Sequence, residues 1–101
     1  MDIQHIKEDW IERGFSFRKG TFKKGGLIKE TYHSESDEVV FLDKGECLYK
    51  LGGKEFTHHG EEEVLIPMKT IHWIKNISGK DLTIYYGYKM MVFNNDPECL
   101  D

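Results

Sequence analysis

Few residues in this chain are of the kinds that build disulfide frameworks, membrane spans or nucleic-acid interfaces. Of its 101 residues two are cysteines and two are prolines, and no apolar run approaches the ~20 residues that a membrane-crossing helix needs. Its 18 acidic residues outnumber 14 basic ones, which gives a formal net charge of −4, whereas nucleic-acid binding relies on basic side chains that neutralise phosphates. We therefore expect neither a membrane nor a nucleic acid as a partner.

The start of the chain and its cysteines indicate a reducing compartment. The N-terminus has no charged start followed by an apolar stretch, the pattern of a secretory signal, so we expect the protein in the cytoplasm. Cys47 and Cys99 lack the CxxC spacing of a zinc or redox site. Cys47 lies in an apolar strand pattern and is predicted to be a small buried side chain, with Cys99 in a C-terminal tail.

Short apolar segments separated by turn residues dominate the chain from Phe15 onward. Helical periodicity is limited to 6–13, where a turn or two of helix would end at Gly14. Strands are predicted at 15–17, 27–33, 39–42, 47–51, 54–57, 64–67, 72–77 and 82–93. So many short strands indicate an all-β sandwich or barrel. We expect a single domain over 1–101, with a barrel core at about 15–93 and extensions at 1–14 and 94–101.

Alternation along the strands predicts which side chains face the interior. In the last strand the set that includes Tyr86 and Tyr88 is expected inside, and the set that includes Tyr85 and Lys89 is expected to face water. The candidates for a pocket wall or for core packing are Val40, Leu42, Cys47, Tyr49, Ile74, Tyr86, Tyr88 and Met90. Outward-facing Trp73, Ile77, Tyr85 and Phe93 could supply the apolar patch of a homodimer.

Two spaced patterns carry the chemistry. The first reads Gly25, five residues, Thr31, one residue, His33, four residues, Glu38, six residues and Gly45. The second reads Gly60, six residues, Pro67-Met68-Lys69, two residues, His72, three residues and Asn76. They resemble the two cupin motifs, G-x5-H-x-H-x(3,4)-E-x6-G and G-x5-P-x-G-x2-H-x3-N. The departures are Thr31 for the first His, Lys69 for Gly, and one extra residue after Gly60.

The resemblance implies a small antiparallel double-stranded β-helix, the jelly-roll or cupin barrel, with a divalent metal in its mouth. By the motif the metal ligands would be His33, Glu38 and His72. Thr31 would hydrogen-bond a metal-bound water, and Asn76 would be a structural hydrogen-bonding residue inside the barrel, behind the ligands, rather than a ligand itself. Two imidazoles and one carboxylate suit Fe, Mn, Ni or Zn, and leave coordination positions for a small molecule.

Further polar side chains have alternative assignments. Glu35, in the turn before Glu38, could be an extra oxygen ligand, or a solvated carboxylate. His58 and His59 are predicted to be exposed histidines of a turn, since adjacent residues on a strand face opposite ways and both cannot easily reach one metal. No catalytic residue is identified; the candidates for acid, base or orienting roles are Tyr86, Tyr88 and Glu35.

Two functions follow from the resemblance. The first is a metal-binding cupin that binds or transforms a small polar organic molecule, with oxygenase or isomerase and epimerase chemistry as the enzymatic options. The second is a metal-free sensory module without catalysis, which the changes at Thr31 and Lys69 favour. The fold itself does not name a reaction.

Overall fold

A computed structural model describes residues 2–30 and 36–89. Helix α1 spans Ile3–Glu12 and precedes all of the strands. The strands are β1 Arg18–Phe22, β2 Leu27–Glu30, β3 Glu38–Leu42, β4 Glu46–Leu51, β5 Lys54–His59, β6 Glu63–Ile66, β7 His72–Asn76 and β8 Leu82–Tyr88. Thr31, His33, Glu35, Met90, Phe93 and Cys99, which the sequence analysis singled out, lie outside the described residues.

The strands form two antiparallel four-stranded sheets. Their orders are β1-β8-β3-β6 and β2-β7-β4-β5, so consecutive strands mostly belong to different sheets. Two sheets wound together in this way are the predicted double-stranded β-helix, and the all-β prediction is confirmed. Short turns link the strands: Gly45 has a φ of +92°, and a Cβ on Gly60 would lie 2.5 Å from the Cα of Lys44.

The first strand and the helix differ from the sequence-based prediction. Residues 15–17 do not form a strand, because Phe15 makes only an isolated bridge to Lys89, and β1 begins at Arg18. The helix has ten residues and starts at Ile3, where the Asp2 side chain accepts hydrogen bonds from the backbone N–H groups of Gln4 and His5. The sequence analysis missed this N-cap, although it placed the end of the helix correctly at Gly14.

The inner faces of the two sheets pack together into the main core. Val40 and Leu42 of β3 meet Tyr49 and Ile74 of the opposite sheet, and all four are buried. The same core holds Phe22, Cys47, Ile66, Leu82 and Ile84. The predicted interior set of the last strand therefore includes Leu82 and Ile84 as expected.

A second core lies on the outer face of the β1-β8-β3-β6 sheet, under the helix. Val39, Phe41 and Tyr85 are at most 6% exposed, and Trp10 of α1 covers them with none of its own surface in contact with water. The prediction that Tyr85 faces water, as part of a dimer patch, is therefore wrong. The helix accounts for the difference, since its apolar face needs a partner and this sheet face supplies one.

No helix among residues 2–30 and 36–89 combines the length and the apolar character that crossing a membrane requires.

Candidate functional site

A cavity of about 530 Å³ lies between the two sheets. Half of its lining comes from β1, β2 and their connecting turn, namely residues 20–23 and 26–28. The other lining residues are Glu38, Val40, His72, Ile74, Ile84, Tyr86 and Tyr88. Its walls are mainly aliphatic and aromatic, with a few polar side chains, which is the usual composition of a small-molecule site.

Glu38 and His72 bring the polar character to this cavity. They are 34 positions apart in the chain, yet both line the cavity and are 8% and 2% exposed, respectively. Glu38 is the first residue of β3, opposite Tyr88, and His72 is the first residue of β7, opposite Leu51 of β4. Each of the two residues is therefore the first residue of its strand and lines the cavity.

The hydrogen bond of His72 determines which ring nitrogen can act as a ligand. Its Nδ1 lies 3.2 Å from the backbone carbonyl oxygen of Thr70. A carbonyl only accepts, so Nδ1 is the donor in this bond, and Nε2 is the nitrogen that a neutral ring would present to a metal. Metal-binding histidines commonly have this arrangement, in which a carbonyl fixes the tautomer and orients the ring.

The donor set fits a divalent transition metal. Glu38 supplies carboxylate oxygens and His72 an imidazole nitrogen, the ligand types that iron, manganese, nickel and zinc share. Residues 2–30 and 36–89 contain no cluster of three or more His, Cys, Asp or Glu side chains placed to hold an ion. The predicted third ligand, His33, lies outside that part of the chain, as do Thr31 and Glu35.

Asn76 lies at the opposite end of β7 from His72, and its side chain is hydrogen-bonded to the neighbouring turns. Its side-chain Nδ2 donates to the backbone carbonyls of Phe22, Lys23 and Lys80, at 2.8 to 3.0 Å. Its Oδ1 accepts from the backbone N–H and the hydroxyl of Ser78. These bonds tie two turns to the strand, which is a structural hydrogen-bonding role inside the barrel, as the sequence analysis expected of Asn76.

The predicted pocket residues separate into two groups. Val40, Ile74, Tyr86 and Tyr88 line the cavity. Leu42, Cys47 and Tyr49 are fully buried and do not line it, because they belong to the packed core between the sheets. Burial raises the pKa of the Cys47 thiol to about 11, which makes this cysteine an unreactive core residue.

His58 is not the exposed turn histidine that the sequence predicted. Strand β5 continues to His59, so His58 points inward and is completely buried, while His59 is exposed beside Glu46. His58 Nε2 donates to the Glu62 carbonyl at 2.6 Å, and Nδ1 then accepts from the Tyr49 hydroxyl at 3.0 Å. The signal was available, because Phe56 and His58 share a face by alternation.

Acid should destabilise the fold through His58. Burial lowers the pKa of this imidazole below 6.5, so below that pH the unfolded chain binds a proton that the folded chain excludes. Stability then falls as pH falls from 6.5 towards the folded-state pKa, by up to about 1.4 kcal/mol per pH unit. Urea unfolding at pH 7.5 and pH 5.5 should show a smaller loss in His58→Gln, whose amide can keep both hydrogen bonds without titrating. Equal losses in the two proteins would contradict this assignment.

Comparison with known proteins supports the fold through structural similarity and not through sequence similarity. No protein-family model matches the chain, and no curated protein is similar to it in sequence at a significant level. Many solved structures share the fold. One is the cupin domain of Cnp3 from Schizosaccharomyces pombe, with a TM-score of 0.70 and 16% identity over 86% of this chain and 64% of that one.

Two further structures extend the comparison. A Cupin_2 domain of an XRE family transcriptional regulator from Enterobacter cloacae has a TM-score of 0.67 and 21% identity over 82% of this chain and 90% of that one. An oxalate oxidase has a TM-score of 0.63 and 21% identity, over 76% of this chain and 42% of that one. The chain therefore spans less than two thirds of the Cnp3 domain and less than half of the oxidase.

Proposed function

We propose, from the premise that this chain is a small cupin-type domain, that it binds one divalent transition metal in its cavity and uses it to hold a small organic molecule. The observation that carries the proposal is that Glu38 and His72, which belong to different strands and different sheets, line one cavity. The hydrogen bond from His72 Nδ1 to the Thr70 carbonyl adds support, since metal-binding histidines commonly donate one ring nitrogen to a carbonyl and use the other as ligand.

His33 is the third ligand in this proposal. The segment that carries it leaves β2 after Glu30, whose backbone is paired with His72, and enters β3 at Glu38. Both ends of the segment are thus next to the two described donors. Together with the spacing of the first sequence pattern, this supports His33 as the residue that completes a set of two imidazoles and one carboxylate.

The chain's own residues would orient a ligand beside the ion and restrict its contact with water. When bound, a metal with this donor set polarises an oxygen of the organic molecule. Tyr86 and Tyr88 reach the cavity from β8 and offer hydroxyl groups for a polar substituent. Val40, Ile74 and Ile84 form an apolar wall that displaces solvent from the remainder of the molecule.

Metal content tests this proposal. Untagged protein that has been stripped with a chelator and dialysed against Mn²⁺, Fe²⁺, Ni²⁺ or Zn²⁺ should retain about one equivalent of at least one of them after gel filtration. The measurement is elemental analysis of the protein peak, with buffer fractions as the blank. Retention below about a tenth of an equivalent of every metal would contradict the proposal.

A metal-free binding module is the second candidate. The presence of Thr31 and Lys69 at positions where the motifs have His and Gly favours it, as does the mainly apolar cavity wall, which can bind a molecule without an ion. One of the similar structures is a domain of a transcriptional regulator. Under this alternative, a small molecule binds equally well in the presence and in the absence of a chelator.

A further inference from the structure

The cavity reaches the edges of both sheets at strands β1 and β2, and we call this border the seam. Strands β1 and β2 are terminal strands of their sheets, and each is paired with one neighbour only, β8 and β7 respectively. Both line the cavity, and Thr21, Lys23 and Leu27 at this border are exposed. The turn that joins β1 to β2 therefore borders the cavity at the end away from the strand ends that carry Glu38 and His72.

Nine of the ten glycines have an evident structural reason. Six of them adopt positive φ, a conformation that other residues avoid. Three more, Gly26, Gly60 and Gly87, leave no room for a side chain, since an added Cβ would lie within 3.0 Å of a neighbouring backbone atom. These nine glycines are explained by turns and close packing.

Gly20 has neither reason. It lies in the interior of β1, opposite Ile84, without the positive φ of the turn glycines. A Cβ there would lie 3.6 Å from the Tyr86 ring and 3.9 Å from Ile84, which are ordinary van der Waals distances. Glycine weakens a strand when it occupies the interior, and it often marks a site where a ligand approaches closely.

We infer that Gly20 is a specificity-determining residue, which leaves open the part of the cavity that receives the apolar body of the ligand. Its missing side chain would project from the inner face of β1 beside Tyr86 and Ile84, both of which line the cavity. Phe22 and Ile28 extend the same apolar surface towards the seam. The volume of about 530 Å³ and the apolar walls of the cavity suit an aromatic acid of about two rings, whose ring system would lie along Gly20.

The orientation of the acid group rests on the proposed function. Its oxygens would meet the ion held at Glu38 and His72, while the rings extend towards the β1–β2 seam. Without the ion the acid group loses this anchor, so the affinity for an aromatic acid should fall in chelator. The room at Gly20 does not depend on the ion.

Two aromatic acids of different size test the inference, with 2-naphthoate as the large probe and benzoate as the small one. Calorimetry on metal-loaded protein should give a dissociation constant for 2-naphthoate that is about tenfold higher in Gly20→Val than in the unmodified protein. The constant for benzoate should change by less than about threefold. Lys19→Val, with valine on the outer face of the same strand, is the matched control and should bind both probes normally.

Each result decides a separate question. Equal binding of 2-naphthoate by the Gly20→Val and unmodified proteins, or no binding of either probe up to about 5 mM, would overturn the inference. If Gly20→Val does not fold by circular dichroism, Gly20→Ala should still weaken 2-naphthoate binding by about threefold, and no weakening would count against the inference. Metal content measured on the same samples keeps the questions apart, because a size-dependent loss at Gly20 without metal retention would contradict only the proposed function.

Discussion

Replacing His72 by alanine should lower the affinity of the protein for Mn²⁺ or Zn²⁺ by more than about 100-fold. Loss of a group that only orients a ligand already costs about 10–100-fold in metal affinity, and His72 is proposed as a ligand itself. Its side chain is 2% exposed at the cavity, so no other residue of β7 can replace its nitrogen there. The measurement is competitive titration against a chromophoric chelator.

His59→Ala is the matched control for this experiment. It removes the same imidazole from the end of β5, where His59 is exposed and paired with Glu46 at 3.1 Å. This variant should bind metal as the unmodified protein does, and circular dichroism should show both variants to be folded. An unchanged affinity in His72→Ala, or an equal loss in the two variants, would rule out His72 as a specific ligand.

Trp10→Ala should lower the free energy of unfolding by about 3–5 kcal/mol, the usual range for removing a fully buried tryptophan. Trp10 is the part of α1 that seals the outer core, and it packs edge-on against Phe17 with ring centroids 5.4 Å apart. Its Nε1 also donates to Glu63 at 2.9 Å, which ties the helix to β6. Urea unfolding monitored by far-ultraviolet circular dichroism measures the change.

Ile11→Ala provides the comparison for Trp10→Ala. Ile11 is the next residue of the same helix, but it is 50% exposed, so its truncation should cost less than about 1 kcal/mol. A small effect of Trp10→Ala, similar to that of Ile11→Ala, would show that the helix contributes little to the stability of the sheet. Glu63 should keep its bonds to Arg13 in either variant.

The barrel could be predicted from sequence because each strand is short and bounded by turn residues. Glycines such as Gly45 mark reversals that only a positive φ allows, and period-two alternation assigned Leu82 and Ile84 to the inside. The outer core could not be predicted in this way. Alternation shows that Tyr85 and Val40 belong to opposite faces of their sheet, but it does not show that a helix covers the outer one.

The part of the candidate site that could be predicted is the part for which the spacing of the two sequence patterns identifies the residues. The spaced patterns selected Glu38 and His72, and both line one cavity. The pattern selected Asn76 but did not reveal its partners, because one of them, the backbone carbonyl of Phe22, is 54 positions away in the chain. It also missed His58, whose burial depends on β5 continuing two residues beyond the predicted strand end.

The position of a bound ion tests the central claim most directly. Crystals soaked in Mn²⁺ or Zn²⁺ should show one strong anomalous peak in the cavity, about 2.0–2.2 Å from both His72 Nε2 and a carboxylate oxygen of Glu38. We also expect the His33 ring to be the third protein ligand to that ion. A peak only at the exposed pair His59 and Glu46, or no peak in the cavity at full soaking concentration, would contradict the account.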